Sequence, residues 1–316
     1  MLRYCRTSKE QSIMRIWSGN GMERLHIKGG NSLQTTPEII SRYVFALPGF
    51  LFFSFAVLIP FLLGIDIAFT DWNGINPNYN YVGLENFKQI FADSRLLQPI
   101  VNTLKFGLLG VVANNVLTLG LALLVNSGYS RLNNIAKTIF FIPVCLSNIL
   151  AAFSWGFIYR NVLSSVFNVN SPLGNITWVI PSIILIGIWN TMGINMLIYL
   201  AALKNVPTEL YEAATIDGAT DFKKFRYVTM PLITPAFTVC VTLTLTAYLR
   251  EFAMTLTATG GGPAGYSQTI SIYIFQNLFS YSKAGYGQAV AFLFMLILII
   301  IGNSVSTFFR KREVEY

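Results

Sequence analysis

The chain has one histidine, three cysteines, and charged side chains at only 11% of its 316 positions. Each scarcity removes a class of function. The lone imidazole, His26, lies in a polar N-terminal stretch and is read as a solvated side chain, since a histidine metal site or a histidine general base has almost nothing to be built from. Cys5, Cys145 and Cys240 show no metal or redox spacing, and the last two lie in apolar runs where a thiol behaves as a small hydrophobe. No disulfide framework, metal or cofactor is expected. No Gly-x4-Gly-Lys-Ser/Thr run occurs either, so the chain carries no P-loop to cradle nucleotide phosphates and is not read as an enzyme.

Apolar sequence is abundant instead. Hydrophobic residues make up 53% of the chain and the mean hydropathy is +0.55, more apolar surface than a soluble domain of this length can hide. The lipid bilayer is therefore the expected solvent. Crossing about 30 Å of hydrocarbon takes about 18 or more apolar residues. Six stretches qualify, at 43 to 69, 106 to 125, 139 to 159, 178 to 203, 232 to 249 and 289 to 309. The first is too long for a signal-peptide core and is read as a retained helix. The fold class expected is all-α, integral to the membrane, with six transmembrane helices over 43 to 309.

The formal charge of +8 invites a nucleic-acid reading, but the positions of the basic residues explain it without one. Seven precede the first span, Arg131 and Lys137 lie at the second loop, four lie in the fourth loop, and Arg310, Lys311 and Arg312 close the chain. The opposite side holds Lys88, Arg95, Arg160, Arg250 and Lys283, with Lys105 at a span edge. By the positive-inside rule both termini are cytoplasmic, including a basic segment 1 to 42 and a tail 310 to 316. Residues 1 to 42 show no sustained apolar period and are expected to be mobile or to rest on the membrane surface.

The fourth loop, 204 to 231, is the anomaly. Its eight charged residues cannot sit mid-bilayer at about 2.5 to 3.5 kcal/mol each, yet it does not read as a plain linker. Pro207 suits a helix start, the run from Thr208 to Asp217 is helix-compatible, and Gly218 suits a C-terminal cap. A second short helix can begin at Thr220 with Phe222 and Phe225 on one face. Helix, glycine turn, helix is the pattern, and the small residues at the bend leave room for another backbone.

Glu212-Ala213-Ala214, Asp217-Gly218-Ala219, Phe225, Val228, Pro231 and Pro235 together resemble the EAA loop of permease subunits in binding-protein-dependent ABC importers. "YVGLENF" at 81 to 87, "GIWN" at 187 to 190, "TGGGP" at 259 to 263 and "GYGQA" at 285 to 289 extend the resemblance toward the carbohydrate-uptake branch, in particular the maltose permease's larger subunit. Two departures are visible: Met230 replaces a usual leucine, and "LREFAM" at 249 to 254 lacks an aspartate. The resemblance implies a type I ABC importer permease fold in a bacterial cytoplasmic membrane. It also implies a second permease subunit, two ATPase subunits, an extracytoplasmic solute-binding protein and a sugar substrate. In the family the loop docks on the ATPase, which assigns coupling to Glu212, Ala213, Ala214, Asp217, Gly218, Ala219 and Phe225. "TGGGP" and 70 to 99 become candidate contacts for the solute-binding protein.

Polar residues inside spans are costly and often face an aqueous path. The fifth span has two faces about 200° apart at 100° per residue. Thr234, Thr238, Thr242 and Thr246 form a hydroxyl stripe assigned to packing, since threonine hydroxyls bond the i−4 carbonyl. Thr244, Tyr248 and Glu251 supply an aromatic ring and a carboxylate suited to a polyol and are assigned to the substrate path, with Glu251 beside Arg250 at the outer interface as the bland alternative. In the family the helices flanking the EAA loop line the sugar cavity, which adds Asn190, Thr191 and Ile194, against a reading in which the asparagines only tie helices. Of the adjacent Asn114 and Asn115, one at most is expected to see the path. The rival class is an ion-coupled secondary transporter, but Asp66 is the only carboxylate inside the six limits.

Overall fold

The computed structural model describes residues 13 to 18, 21 to 26, 36 to 126 and 131 to 313. Two strands, β1 (Ile13–Ser18) and β2 (Gly21–His26), pair antiparallel with Ile13 opposite His26 and Ser18 opposite Gly21. The sequence between them is Gly19-Asn20, residue types that close short hairpins. Sequence reading found no element in 1 to 42, because neither six-residue strand is long enough to stand out against its polar surroundings. The rest of that segment lies outside the described residues up to Thr36, where a helix opens.

Among the described residues four helices are long and apolar enough to cross a membrane: α1 (Val44–Ala68), α3 (Ser94–Asn126), α6 (Val179–Lys204) and α12 (Ala284–Arg310). Two bent pairs bring the count to six. The first is α4 (Asn133–Cys145) with α5 (Asn148–Phe167), bent by 102°, and the second is α8 (Asp221–Leu232) with α9 (Thr234–Leu249), bent by 72°. Shorter helices complete the described chain: α2 (Glu85–Ala92), α7 (Thr208–Ile216), α10 (Ala253–Thr259) and α11 (Ile270–Phe275).

The third expected span, 139 to 159, is not one straight helix. Pro143 lies at the break, where it supplies no backbone N–H, and Leu146 is extended at φ −88° and ψ 138°. Ser147 restarts the helix by accepting a hydrogen bond from the Leu150 N–H at 3.3 Å. Carbonyls left under-bonded at such a break are expensive in an apolar setting; the Pro143 carbonyl accepts the Leu146 N–H at 3.0 Å, and both the Pro143 and Leu146 carbonyls take a bond from another helix. Asn190 of α6 donates its amide to the Pro143 carbonyl at 2.9 Å and to the Leu146 carbonyl at 3.1 Å.

The core is built around α3, which packs along both α6 and α9 far more extensively than those two pack on each other. At the other end of α3, Asp93 fastens the corner between α2 and α3 to α11 and α12. Its carboxylate accepts hydrogen bonds from the Tyr273 hydroxyl at 2.6 Å, the Tyr286 hydroxyl at 3.0 Å and Arg95 Nε at 2.9 Å. The Arg95 guanidinium and the tyrosine hydroxyls hold the carboxyl well below the usual carboxylate range. A depressed pKa contributes stability that is present above the unfolded value of about 3.9 and is lost as pH falls below it. Asp93→Asn is accordingly expected to cost about 2 kcal/mol near neutral pH, the worth of hydrogen bonds to a charged group, with the difference from wild type starting to narrow at about pH 4 and closing only as pH falls through the lowered folded value. Thermal unfolding of the purified chain at pH 7 and at about pH 2 checks this, and an equal gap at both values would count against it.

Candidate functional site

The loop between α6 and α9 is built as the sequence patterning indicates. α7 opens after Pro207 and closes at Asp217, and the Ala219 N–H reaches back to the Ala214 carbonyl at 2.9 Å while the Gly218 N–H bonds the Thr215 carbonyl at 3.0 Å. This pair of bonds is the Schellman ending, which requires a left-handed residue at the turn, and Gly218 has φ +73°. Thr220 then caps α8, its hydroxyl accepting from the Lys223 N–H at 3.4 Å. A β-carbon on Gly218 would find nothing within 4 Å, so the bend is open on its outer side.

Exposure divides the loop residues. Glu212, Ala213, Asp217 and Gly218 are exposed, whereas Ala214, Ala219 and Phe225 are half-buried. Phe222 is exposed, so the two phenylalanines expected on one face part company where the helix passes into a wider π-type turn at Phe225–Thr229. Ile216 is 87% exposed and Tyr227 74%, leaving large apolar side chains beside acidic ones. One residue that sequence reasoning missed is Tyr211. Its ring packs into the core cluster of Met196, Tyr199 and Ile233, and its hydroxyl lies 2.9 Å from the Thr229 hydroxyl, fastening α7 to α8. Its i+4 spacing to Thr215, whose hydroxyl bonds the Tyr211 carbonyl, was the available signal.

The residues named for a substrate path separate. Ile194 is exposed on α6 and Thr191 is half-buried beside it. Asn190 is buried and occupied by the carbonyls of the α4–α5 break. Along the threonine stripe the hydroxyls of Thr234, Thr238 and Thr246 bond the i−4 carbonyls of Met230, Thr234 and Thr242 at 2.9, 3.0 and 2.8 Å, with Thr238 buried and Thr246 exposed. On α9 the face carrying Thr244 and Tyr248 is the buried one, packed toward α3 and α6, while Thr246 of the opposite stripe is exposed.

The reason is a slot made by two glycines. A β-carbon on Gly110 would lie 2.6 Å from Tyr248 Cγ, and one on Gly187 would lie 3.1 Å from the Tyr248 hydroxyl. A side chain at Gly110 would collide with the ring and one at Gly187 would crowd its hydroxyl end, and Tyr248 is left 7% exposed. Beneath it, both α3 asparagines are engaged. Asn114 donates to Thr191 Oγ1 at 2.9 Å and accepts from the Asn195 amide at 2.8 Å. Asn115 donates to Thr244 Oγ1 at 2.9 Å and accepts from the Tyr199 hydroxyl at 2.6 Å. Glu251 lies just beyond α9, where its Oε1 accepts from the N–H groups of Met254 at 2.9 Å and Thr255 at 3.1 Å, capping α10.

No group of three or more His, Cys, Asp or Glu side chains is placed to hold a metal ion among the described residues. What the geometry offers is a polar three-helix seam inside the membrane region and an exposed, charged helical elbow outside it.

Comparison with known proteins bears on that arrangement. Residues 115 to 313 match the family described as the inner membrane component of binding-protein-dependent transport systems. AmyD of Thermoanaerobacterium thermosulfurigenes, a permease protein named for the transport of starch degradation products, is 35% identical over 284 residues, covering 86% of this chain and 95% of that one. MalF of Thermococcus litoralis, a trehalose/maltose permease protein, is 30% identical over 231 residues, covering 70% and 78%. LacF of Rhizobium radiobacter, a lactose permease protein, is 27% identical over 286 residues, covering 87% and 95%. Among solved structures, a chain of a bacterial ABC transporter for import of the polysaccharide alginate superposes with a TM-score of 0.74 at 23% identity, covering 87% of this chain and 96% of that one. The chain is a multi-pass membrane protein with the fold of an ABC importer permease, and it belongs to the family of inner membrane components of binding-protein-dependent transport systems.

Proposed function

We propose that this chain is the permease subunit through which a sugar or oligosaccharide enters a bacterial cell, driven by ATP hydrolysis on separate subunits. The observation that carries this reading is the elbow of α7 and α8. A solvated linker has no need of a Schellman turn, a tyrosine anchor and exposed Ile216 and Phe222, whereas a surface that seats in a partner's cleft needs all three. Glu212, Ala213, Ala214, Asp217, Gly218, Ala219 and Phe225 are the coupling residues in this reading. The partner is one of two ATPase subunits, since no phosphate-binding loop is present in this chain. A second permease subunit completes the channel, and an extracytoplasmic solute-binding protein delivers the substrate. The named cargo of AmyD, MalF and LacF supports a carbohydrate.

The membrane is the cytoplasmic one, with both termini and the elbow on the cytoplasmic side, as the basic-residue distribution favours. Closure of the ATPase dimer on ATP draws the elbows together and turns the path outward, and hydrolysis returns it inward. No covalent step falls on this chain. The substrate wall runs along Thr191 and Ile194 of α6, with Asn190, Thr244, Tyr248 and Glu251 shaping it from behind.

Affinity isolation of the tagged chain from native membranes is expected to recover an ATPase whose hydrolysis is stimulated by a sugar-loaded binding protein. In a cysteine-free background, Phe222→Cys is expected to react with an impermeant maleimide in inside-out vesicles and not in sealed cells. Recovery of the chain without any ATPase, with transport driven by an ion gradient, would replace this reading by a secondary transporter.

A further inference from the structure

The elbow joins α6 to α9, yet those two helices touch each other little, because α3 is wedged between them. A force applied at the elbow could therefore be spent on splaying α6 from α9. What opposes a splay is a ladder of side chains at consecutive depths. Nearest the elbow, the Tyr199 ring of α6 lies against Phe237 of α9 with centroids 6.4 Å apart. The Tyr199 hydroxyl then bonds Asn115 at 2.6 Å, and Asn115 bonds Thr244 of α9 at 2.9 Å, so a single α3 amide bridges the other two helices. One residue earlier, Asn114 bonds Asn195 at 2.8 Å and Thr191 at 2.9 Å, both on α6, and its amide lies 3.4 Å from the Tyr248 hydroxyl of α9.

Adjacent residues on a helix point 100° apart, which is why they were expected to have unequal roles. A helix wedged in a fork uses both directions: one asparagine faces mainly α6 and the other faces both prongs. Asn114 and Asn115 are 0% and 4% exposed, so neither is available to a solute. Tyr199 stands five residues before the end of α6, about 7 Å along the helix axis from the start of the elbow.

We propose that Asn114 and Asn115 are the pin that makes α3, α6 and α9 move as one body, so that displacement of the elbow reaches the outer half of the membrane. They are positioning residues, and the proposal rests on the coupled-import reading above. An unpinned fork leaves the ATPase seated and turning over, but its stroke no longer moves the path. The signature is a fall in sugar imported per ATP hydrolysed, which a general loss of folded protein does not produce because it lowers both in step.

The test uses the whole complex in proteoliposomes with its binding protein. Tyr199→Phe removes one hydroxyl and keeps the ring, so it serves where Asn115→Leu fails to assemble. Each is expected to lower the import-to-hydrolysis ratio about fivefold, with the double variant no worse than Asn115→Leu, since both act through one bond. Val116→Leu, on the exposed side of the same turn, is expected to keep the wild-type ratio. Spin labels at Leu185 and Val239, exposed positions on α6 and α9, are expected to give a broader distance distribution in Tyr199→Phe than in wild type. An unchanged ratio and an unchanged distribution in Tyr199→Phe would overturn the pin. Absence of stimulated hydrolysis in the wild-type complex would instead count against the import reading, while the spin-label arm still decides the mechanical one.

Discussion

Gly218→Val is expected to leave the chain in the membrane while reducing recovery of the ATPase at least about tenfold and abolishing sugar uptake. Gly218 has φ +73°, a conformation that a β-branched residue adopts only at a cost of roughly 1 to 2 kcal/mol. The turn relieves that strain by unwinding, which breaks the bonds from Ala219 to Ala214 and from Gly218 to Thr215 and re-aims α8 relative to α7. Among the described residues, nothing beyond its chain neighbours lies within 4 Å of the added β-carbon, so the rest of the fold has no reason to fail. The added bulk projects into the space the partner would fill, and strain and contact act in the same direction. A loss of 1.4 kcal/mol is tenfold in affinity. Gly218→Ala adds the smaller side chain and is expected to reduce recovery about fivefold, because it carries most of the φ penalty with less contact. Pull-down of the ATPase from membranes, together with stimulated hydrolysis, measures both. Normal recovery and normal hydrolysis in Gly218→Val would take the elbow out of the coupling route and remove the chief support for ATP-driven import.

Tyr248→Ala is expected to be the most destabilising single change on α9. The ring fills the slot between Gly110 and Gly187 and joins the cluster of Phe106, Ile183 and Ile186, all fully buried or nearly so. Truncating a buried aromatic side chain costs about 3 to 5 kcal/mol, and here the slot cannot collapse because both walls are backbone. Tyr248→Phe retains the packing and gives up only a 3.4 Å contact to Asn114, worth less than about 1 kcal/mol. Thermal unfolding of the detergent-solubilised chain is expected to separate the two variants clearly, with uptake following the amount of folded protein. An alanine variant of unaltered stability whose sugar selectivity changes would mean that the ring faces an open path.

These two residues mark where sequence reasoning reached and where it stopped. Gly218 was legible because its signal is local: charged residues in an apolar chain, a helix-compatible run, and a glycine where that run must end. The surroundings of Tyr248 were not legible, because periodicity gives the angle between two faces of a helix but not which neighbour each face meets. The choice between the two polar stripes of α9 rested on side-chain chemistry alone, with the hydroxyl stripe given to packing and the face of Thr244 and Tyr248 to the path. Asn190 illustrates the same limit, since its hydrogen bonds run to Pro143 and Leu146, more than forty positions away.

The sequence by itself determined the solvent, the apolar stretches, the charged elbow and the family. All of these rest on composition, on charge counted along the chain, and on residues whose backbone requirements are met within a few positions. Only the tertiary structure decided that the third span breaks sharply, that the α9 face with the better sugar chemistry is the one turned inward, and that two adjacent asparagines of α3 are both engaged, one mainly with α6 and the other with α6 and α9 together. Those outcomes depend on which helices become neighbours. In an apolar medium that choice is made by small-residue slots and by the need to satisfy every buried polar group, and neither is visible until the helices are packed.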